Sequence, residues 1–394
     1  MSKSVVRFCV FVASTLAMLP ARAAEPPLVV GAVVTQSGYL ADLAADLRKS
    51  LLLWQEEVNQ AGGLLGRRVE LRLLDDRSEA AASGPLYERL IGEQQADLLV
   101  GPFGSAATLG AAGAAERHGR VLLNATGASR SVQKANFRFV FQVPAPYSGY
   151  GAGVLEIARK MDYRRMLIVA RADPASREMA ARLREDALAS GLEPGEVELY
   201  SPGTADFGAQ IGYARARDAQ AWIAFGLPQD AAEMVKSFRR FAYAPRMFAA
   251  LGVADPQFVK LVGQDAEHAL GISPWERGLA GRPSARFADA YARRWSAEPT
   301  QLAAEGYAAA KVLEEAVRRA GSLDQEKLRE QLSALETETV LGPYKVDASG
   351  AQVGTKPAVV QIRNGRRQVV WPEALATAKW QLPYPRWEER KRLR

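Results

Sequence analysis

The chain has 394 residues, a formal net charge of +7, two histidines and a single cysteine, Cys9. That length suits two domains of about 100–200 residues each. One cysteine excludes a disulfide framework or a thiolate metal site, and so modest an excess of base gives no reason to expect a nucleic-acid partner.

Lys3 and Arg7 precede an apolar run from Phe8 to Leu19, followed by Pro20 and the small-residue stretch Ala21-Arg22-Ala23-Ala24. This is the pattern of a secretory signal peptide over residues 1–23, cut after Ala23, and it predicts export to the periplasm. The run is too short to span a bilayer core of roughly 30 Å as a helix. Cys9 lies inside it rather than at the cleavage point, so no lipid tether is expected. Lys3, Arg7 and Arg22 leave with the leader, which reduces the excess to +4.

From Leu28 onward, short apolar runs alternate with amphipathic helical stretches, the pattern of strands and crossover helices in a parallel α/β sheet. Leu28–Val34 reads as the first strand, and Leu47, Leu51, Trp54 and Val58 then recur at helical spacing until Ala61-Gly62-Gly63 stops the helix. Val69, Leu71 and Leu73 alternate as a second strand, and a helix is expected to begin near Pro85. Asp97–Val100 is a third strand, Ala106–His118 a helix and Val121–Leu123 a fourth strand. After Phe139–Val143, the stiff segment Pro144-Ala145-Pro146 marks a boundary, and a second series starts. Its strands are Met166–Ala170, Val197–Tyr200, Ala221–Phe225 and Met247–Ala250, separated by helices with one apolar face each. Helices around Phe287–Trp295, Ala303–Ala320 and Leu323–Leu335 lead to a hairpin in which Asn364-Gly365 supplies both positive-φ residues of a type I′ turn. The closing run Trp387–Arg394 reads as a solvated basic end.

Enzyme chemistry finds little to stand on. His118 and His268 are far apart in sequence, in charged surroundings that predict solvated surface, and no metal-ligand spacing, P-loop or G-x-S-x-G elbow occurs. Gly149-Tyr150-Gly151-Ala152-Gly153 imitates a dinucleotide loop, but the third glycine of G-x-G-x-x-G would fall on Val154. These glycines are read as the loop that opens the next helix. Asp75-Asp76 are adjacent at a strand end, where capping or bonding to a neighbouring loop is expected instead of paired acid–base work. No cofactor is expected.

Several stretches resemble the leucine/isoleucine/valine-binding protein family, the type I periplasmic binding proteins of branched-chain amino acid and amide ABC importers. They include Thr35-Gln36-Ser37-Gly38 after the first strand, the run from Glu57 to Arg67, Leu74-Asp75-Asp76, Gly101-Pro102-Phe103-Gly104-Ser105 and Leu341-Gly342-Pro343-Tyr344. Their order and spacing together carry the resemblance, which covers about Leu28 to Trp371. It implies two Rossmann-like lobes with parallel sheets flanked by helices, joined by three hinge crossings and closing on a solute between them. Lobe one would take residues 28–144 and 273–352, lobe two 145–272 and 353–380, with a basic tail over 381–394. The implied protein is a monomer that delivers its small-molecule ligand to an inner-membrane ABC permease.

In open α/β sheets ligands sit beyond the carboxyl ends of strands. Ser105 follows one such strand and reads as the N-cap of an alanine-rich helix whose free N–H groups favour an anion; the resemblance places a carboxylate-binding serine here. It also implies that Thr126, Gly127, Ala128 and Ser129 offer backbone N–H and hydroxyl to the same carboxylate; Tyr39, beside Gly38 at the first strand's end, faces the same crevice and is expected on the ligand's apolar part. The second lobe departs from the amino-acid-binding pattern. Where that pattern has acids for the α-ammonium, Tyr147 and Leu251 stand, and where it has ligand-contacting tyrosines, Ala175 and Leu227 stand. With Asp173, Asp230 and Asp255 as possible substitutes nearby, the expectation moves toward an acid or amide without an ammonium, aromatic in view of Tyr147 and Tyr150. Two further readings stay open: a sensory binding protein that reports occupancy to a receptor, and a periplasmic α/β oxidoreductase.

Overall fold

The computed structural model describes residues 25–279 and 281–390. The first βα series runs β1 (Leu28–Val34), α1 (Ala41–Gln60), β2 (Val69–Asp75), α2 (Ser83–Gly92), β3 (Leu98–Val100), α3 (Ser105–Arg117), β4 (Leu122–Asn124), α4 (Arg130–Lys134) and β5 (Val140–Gln142). The second runs α5 (Ala152–Lys160), β6 (Arg165–Arg171), α6 (Pro174–Ala189), β7 (Glu193–Tyr200), α7 (Gly208–Ala216), β8 (Ala221–Phe225), α8 (Pro228–Arg240), β9 (Met247–Ala250), α9 (Pro256–Val262) and β10 (Leu270–Ser273). The chain then returns through α10 (Gly281–Trp295), α11 (Gln301–Ala320), α12 (Gln325–Ala334), β11 (Thr337–Thr339) and β12 (Gly342–Tyr344), before β13 (Ala358–Arg363), β14 (Arg366–Trp371) and α13 (Trp387–Arg390).

The strands form two large sheets and a small antiparallel ribbon, β11-β12. One is five-stranded and parallel, in the order β2-β1-β3-β4-β5; the other is seven-stranded, in the order β14-β13-β10-β9-β8-β6-β7, with β13 and β14 antiparallel at its edge. Strands covered on both faces read as unbroken apolar runs, and β1 (LVVGAVV) and β8 (AWIAF) are buried at every position. Around the first sheet, α1, α10, α11 and α12 cover one face through Trp54, Phe287, Tyr291 and Leu313, while α2 and α3 cover the other through Tyr87, Leu90 and Ala111. Around the second, α5 and α6 pack Val154, Met179 and Leu183 on one side, and α7, α8 and α9 pack Ile211, Phe238 and Phe258 on the other. The result is a two-lobe α/β molecule.

The chain passes between the lobes after β5, after β10 and after β12. Each crossing is tied down by hydrogen bonds, the first through backbone and the other two through side chains. Tyr147 N–H donates to the Ala128 carbonyl at 2.9 Å, Trp275 Nε1 to Ser284 Oγ at 3.0 Å, and Gln352 Nε2 to the Val143 carbonyl at 3.2 Å. The hairpin turn is as expected, with φ of 52° at Asn364 and 70° at Gly365, and α5 opens at Ala152, within the glycine-rich stretch, with Gly153 already helical.

Some expectations need correction. Helix α2 begins at Ser83, two residues ahead of Pro85. The N-cap of α3 is Gly104, at φ 86°, and Ser105 is its first helical residue; a positive φ is what a glycine supplies and a serine resists. His268 is half-buried outside any helix, and burial lowers its pKa below the usual value, against the opposing charge of Glu267. The tail is docked as far as residue 390. Tyr384 is buried against Phe248, and the Arg390 guanidinium lies over the rings of Tyr384 and Trp387 at 4.3 and 4.6 Å. Residues 391–394 and the leader lie outside the described residues.

Candidate functional site

The loops after β3 and β4 in one lobe carry Ser105 and Ser129, and β6 in the other lobe leads into α6, which meets the loop after β4. On the first lobe, Gly101–Gly104 leads from β3 into α3, whose first N–H groups have no carbonyl of their own helix to bond. Gly104 N–H donates to Thr126 Oγ1 at 2.7 Å, and that hydroxyl donates onward to the Pro102 carbonyl at 2.9 Å. Asn124 clamps Gly127 from both sides, accepting from its N–H and donating to its carbonyl, each at 2.7 Å. A methyl group on Gly127 would lie 2.5 Å from Thr108 Oγ1 and 2.8 Å from Asn124 Oδ1, so only glycine fits. Thr126, Gly127 and Ala128 are thus the buried frame of the loop. Its outward member is Ser129, whose N–H donates to Ser105 Oγ at 3.1 Å.

Ser105 in turn stands within hydrogen-bonding reach of the Tyr147 phenol. Tyr147 and Tyr150 meet edge to face with ring centroids 5.5 Å apart. Burial raises the Tyr147 pKa to about 12, with the carboxyl groups of Glu305 and Glu178 adding to it. Tyr147, Ala175 and Leu251 all pack on the edge of the second lobe's core, and form the apolar side of the site. Leu227, the N-cap of α8, is half-exposed, and Tyr39 projects into solvent at 86 % exposure. The structure therefore links Ser129, Ser105, Tyr147 and Tyr150 in one chain of contacts, sets Leu251 on the edge of the second lobe's core, and leaves Tyr39 exposed.

The acids named as substitutes are each engaged locally. Asp173 caps α6, accepting from Ser176 N–H at 2.9 Å, and Asp255 caps α9. Asp230, buried, accepts from Leu227 N–H at 2.8 Å and pairs with Arg171 at 3.3 Å. Asp75 bonds the neighbouring loop as expected; although burial acts against it, hydrogen bonds from the Ser37 hydroxyl and from the backbone of Gln36, Arg77 and Ser37 lower its pKa to about 2.

Sequence reasoning missed four residues. Arg171 ends β6 at the cleft and faces both Asp230 and Asp173. Glu178 on α6 reaches across to lobe one, accepting from Ser129 Oγ at 2.6 Å and Arg130 N–H at 2.8 Å. Glu305 on α11 is 3 % exposed; burial raises its pKa to about 8 against the single hydrogen bond from Gln301, 2.6 Å long. Gln301 also approaches the Tyr150 hydroxyl at 3.5 Å.

Residues 27–367 match the model of the family described as "Periplasmic binding protein". The chain belongs to that family. This periplasmic binding protein is 22 % identical over 327 residues to the "Amino acid binding protein" of Pseudomonas aeruginosa, covering 82 % of this chain and 87 % of that one. Its fold matches the leucine binding protein LivK of Thermotoga maritima with a TM-score of 0.74 at 22 % identity, covering 88 % of this chain and all of that one. It also matches an R. palustris solute-binding protein in complex with benzoate, with a TM-score of 0.72 at 17 % identity over 87 % of this chain and 95 % of the other. These likenesses agree with the two-lobe architecture.

Proposed function

We propose that this protein is the periplasmic solute-capturing component of a branched-chain-amino-acid or amide type ABC importer, working as a monomer with an inner-membrane permease and carrying out no catalysis. The observation that carries the reading is the α3 N-terminus opening onto the interlobe space beside Ser105, Ser129 and two tyrosines, in a chain whose family match spans residues 27–367. A helix N-terminus with unpaired N–H groups favours a carboxylate, and Leu251 with the tyrosine faces suits an apolar body. Relatives described as binding leucine or carrying benzoate fit a small carboxylate-bearing solute.

The test is calorimetry with a panel that includes L-leucine, L-phenylalanine and benzoate, repeated on Ser105→Ala. Loss of a hydrogen bond to a charged group is expected to weaken binding by on the order of 1–3 kcal/mol. Folding should be unaffected, because Gly104 holds the cap position and Thr108 Oγ1 also bonds its carbonyl, at 2.9 Å. Equal affinity in both proteins would place the carboxylate elsewhere.

A further inference from the structure

Away from the crossings, a side-chain clamp joins the two lobes. Among the described residues, the hydrogen bonds from Ser129 Oγ and Arg130 N–H to Glu178 are the ones that join a βα loop of lobe one to a helix of lobe two outside the crossing segments. Both carboxylate oxygens are used, one on each donor, at 2.6 and 2.8 Å. Hydrogen bonds to an ionised acceptor are short and about twice as strong as neutral ones, and a two-point contact also fixes orientation.

The donors are held ready for the contact. Ser129 is the N-cap of α4, accepting from Ser131 N–H at 3.2 Å, and its own N–H is fixed on Ser105 Oγ. Glu178 lies one turn into α6, whose start is set by Asp173 and Pro174. Met179 and Leu183 of the same helix are buried in the second lobe's core, so the carboxylate is carried on a rigid element. No salt bridge neutralises Glu178 from its own lobe among the described residues, whereas Arg182 on the next turn is paired with Asp186 at 2.8 Å. The carboxylate therefore finds its partners only across the cleft.

We propose that Glu178 is a built-in latch that holds the lobes closed through Ser129 and Arg130 using the chain's own groups, so that closure does not wait for a solute. The latch needs no ligand group, because both donors belong to the chain itself. It makes the closed form a substantial part of the population before binding, which raises apparent affinity by removing part of the cost of selecting that form.

The experiment is small-angle X-ray scattering on the exported protein after denaturation, dialysis and refolding, which strips any co-purified solute. Near-ultraviolet circular dichroism checks that each variant is folded. Wild type is expected to scatter as the closed structure. Glu178→Ala, which removes both bonds, should increase the radius of gyration; Ser129→Ala, which leaves the Arg130 N–H bond, should increase it less, and the double variant should match Glu178→Ala. An open profile for wild type would overturn the latch, and so would a Glu178→Ala profile that superimposes on wild type, whatever Ser129→Ala does. Should Glu178→Ala fail to fold, Glu178→Gln serves in its place, because an uncharged amide of the same size cannot accept both donors with a full charge.

Discussion

Glu305 shows how one side chain can set a solution property of the whole protein. It is a carboxyl with 3 % exposure, facing the phenols of Tyr147 and Tyr150 and the amide of Gln301, with no cation paired to it among the described residues. Burial raises its pKa from 4.5 to about 8, so the folded protein keeps a proton at neutral pH that the unfolded chain releases. The native state binds more protons throughout that interval, and stability falls as pH rises across it, by at most about 1.4 kcal/mol per pH unit. The contribution is fully present below pH 4.5 and lost once pH passes about 8. Glu305→Gln, which keeps an oxygen to accept from Gln301, should therefore flatten the decline and be more stable than wild type at pH 8 by more than about 1 kcal/mol, with the two alike near pH 4. Urea denaturation at pH 4.5, 6 and 8 measures both curves, and parallel slopes would mean that Glu305 is ionised in the folded protein. Glu305 was not legible in the sequence. It sits in Ala304-Glu305-Gly306, where local pattern cannot distinguish a glutamate on the solvated face from one turned inward, and only the approach of Tyr150 from another part of the chain decides. Ser105 was legible because strand, glycine loop and helix start are contiguous there, although the cap itself falls one residue earlier. Glu178 was hidden for a reason like that of Glu305: Arg177-Glu178 opens a charged helix that reads as surface, and it is surface except where lobe one meets it.

At the scale of elements, the central parallel strands were plain in advance because burial on both faces demands continuous apolar residues, as in Leu28–Val34 and Ala221–Phe225. β10 was not. Leu270-Gly271-Ile272-Ser273 is four residues long, and its place between β9 and β13 is set by neighbours from distant sequence. The carboxyl-terminal segment misled in the opposite direction. Its charge reads as solvation, yet Tyr384 N–H donates to the Arg246 carbonyl at 2.7 Å and Trp387 Nε1 to the Tyr243 carbonyl at 2.6 Å. Arg390 donates through Nη1 to the Asp265 carbonyl at 2.9 Å. These bonds strap the segment over β9 and α8, where Tyr384 meets Phe248 at a centroid distance of 5.8 Å. A buried aromatic truncated to alanine costs about 3–5 kcal/mol, so Tyr384→Ala should lower the melting temperature by several degrees. Arg390→Ala should cost less, since its guanidinium contributes stacking on two rings and contacts to two carbonyls, those of Asp265 and Pro385, each on the order of 0.5–1 kcal/mol. Differential scanning calorimetry of both variants decides; a Tyr384→Ala protein that melts with wild type would show the segment to be detached in solution.

The whole molecule adds a term that no single lobe contains: the charge left in the cleft once both halves meet. From lobe two come Arg171, Asp173, Asp230 and Glu178, three acids against one base. Lobe one contributes the polarity of the α3 N-terminus and Glu305, whose raised pKa keeps it mainly neutral near pH 7. A bare carboxylate is thus attracted by the helix end and repelled by the opposite wall, and in a closed, partly dehydrated cleft the repulsion is screened far less than in water. A zwitterion meets both demands, its carboxylate at Ser105 and its ammonium toward the acids, where the charge is paired instead of buried alone. The sequence, with Tyr147 and Leu251 at the two positions where acids were sought, pointed to a ligand without an ammonium; the acids of lobe two support the opposite expectation, which a comparison of matched ligands tests. In matched pairs, L-leucine against 4-methylpentanoate and L-phenylalanine against 3-phenylpropanoate, the amino member is expected to bind more tightly. The gap should narrow in Glu178→Gln, because removing one of three acids weakens the field that penalises the bare anion. Competition calorimetry on the four compounds reads the difference directly. Tighter binding of the des-amino member in either pair would show that Arg171 leaves Asp173 and Asp230 to take a ligand carboxylate of its own, and that the cleft is positive where it counts.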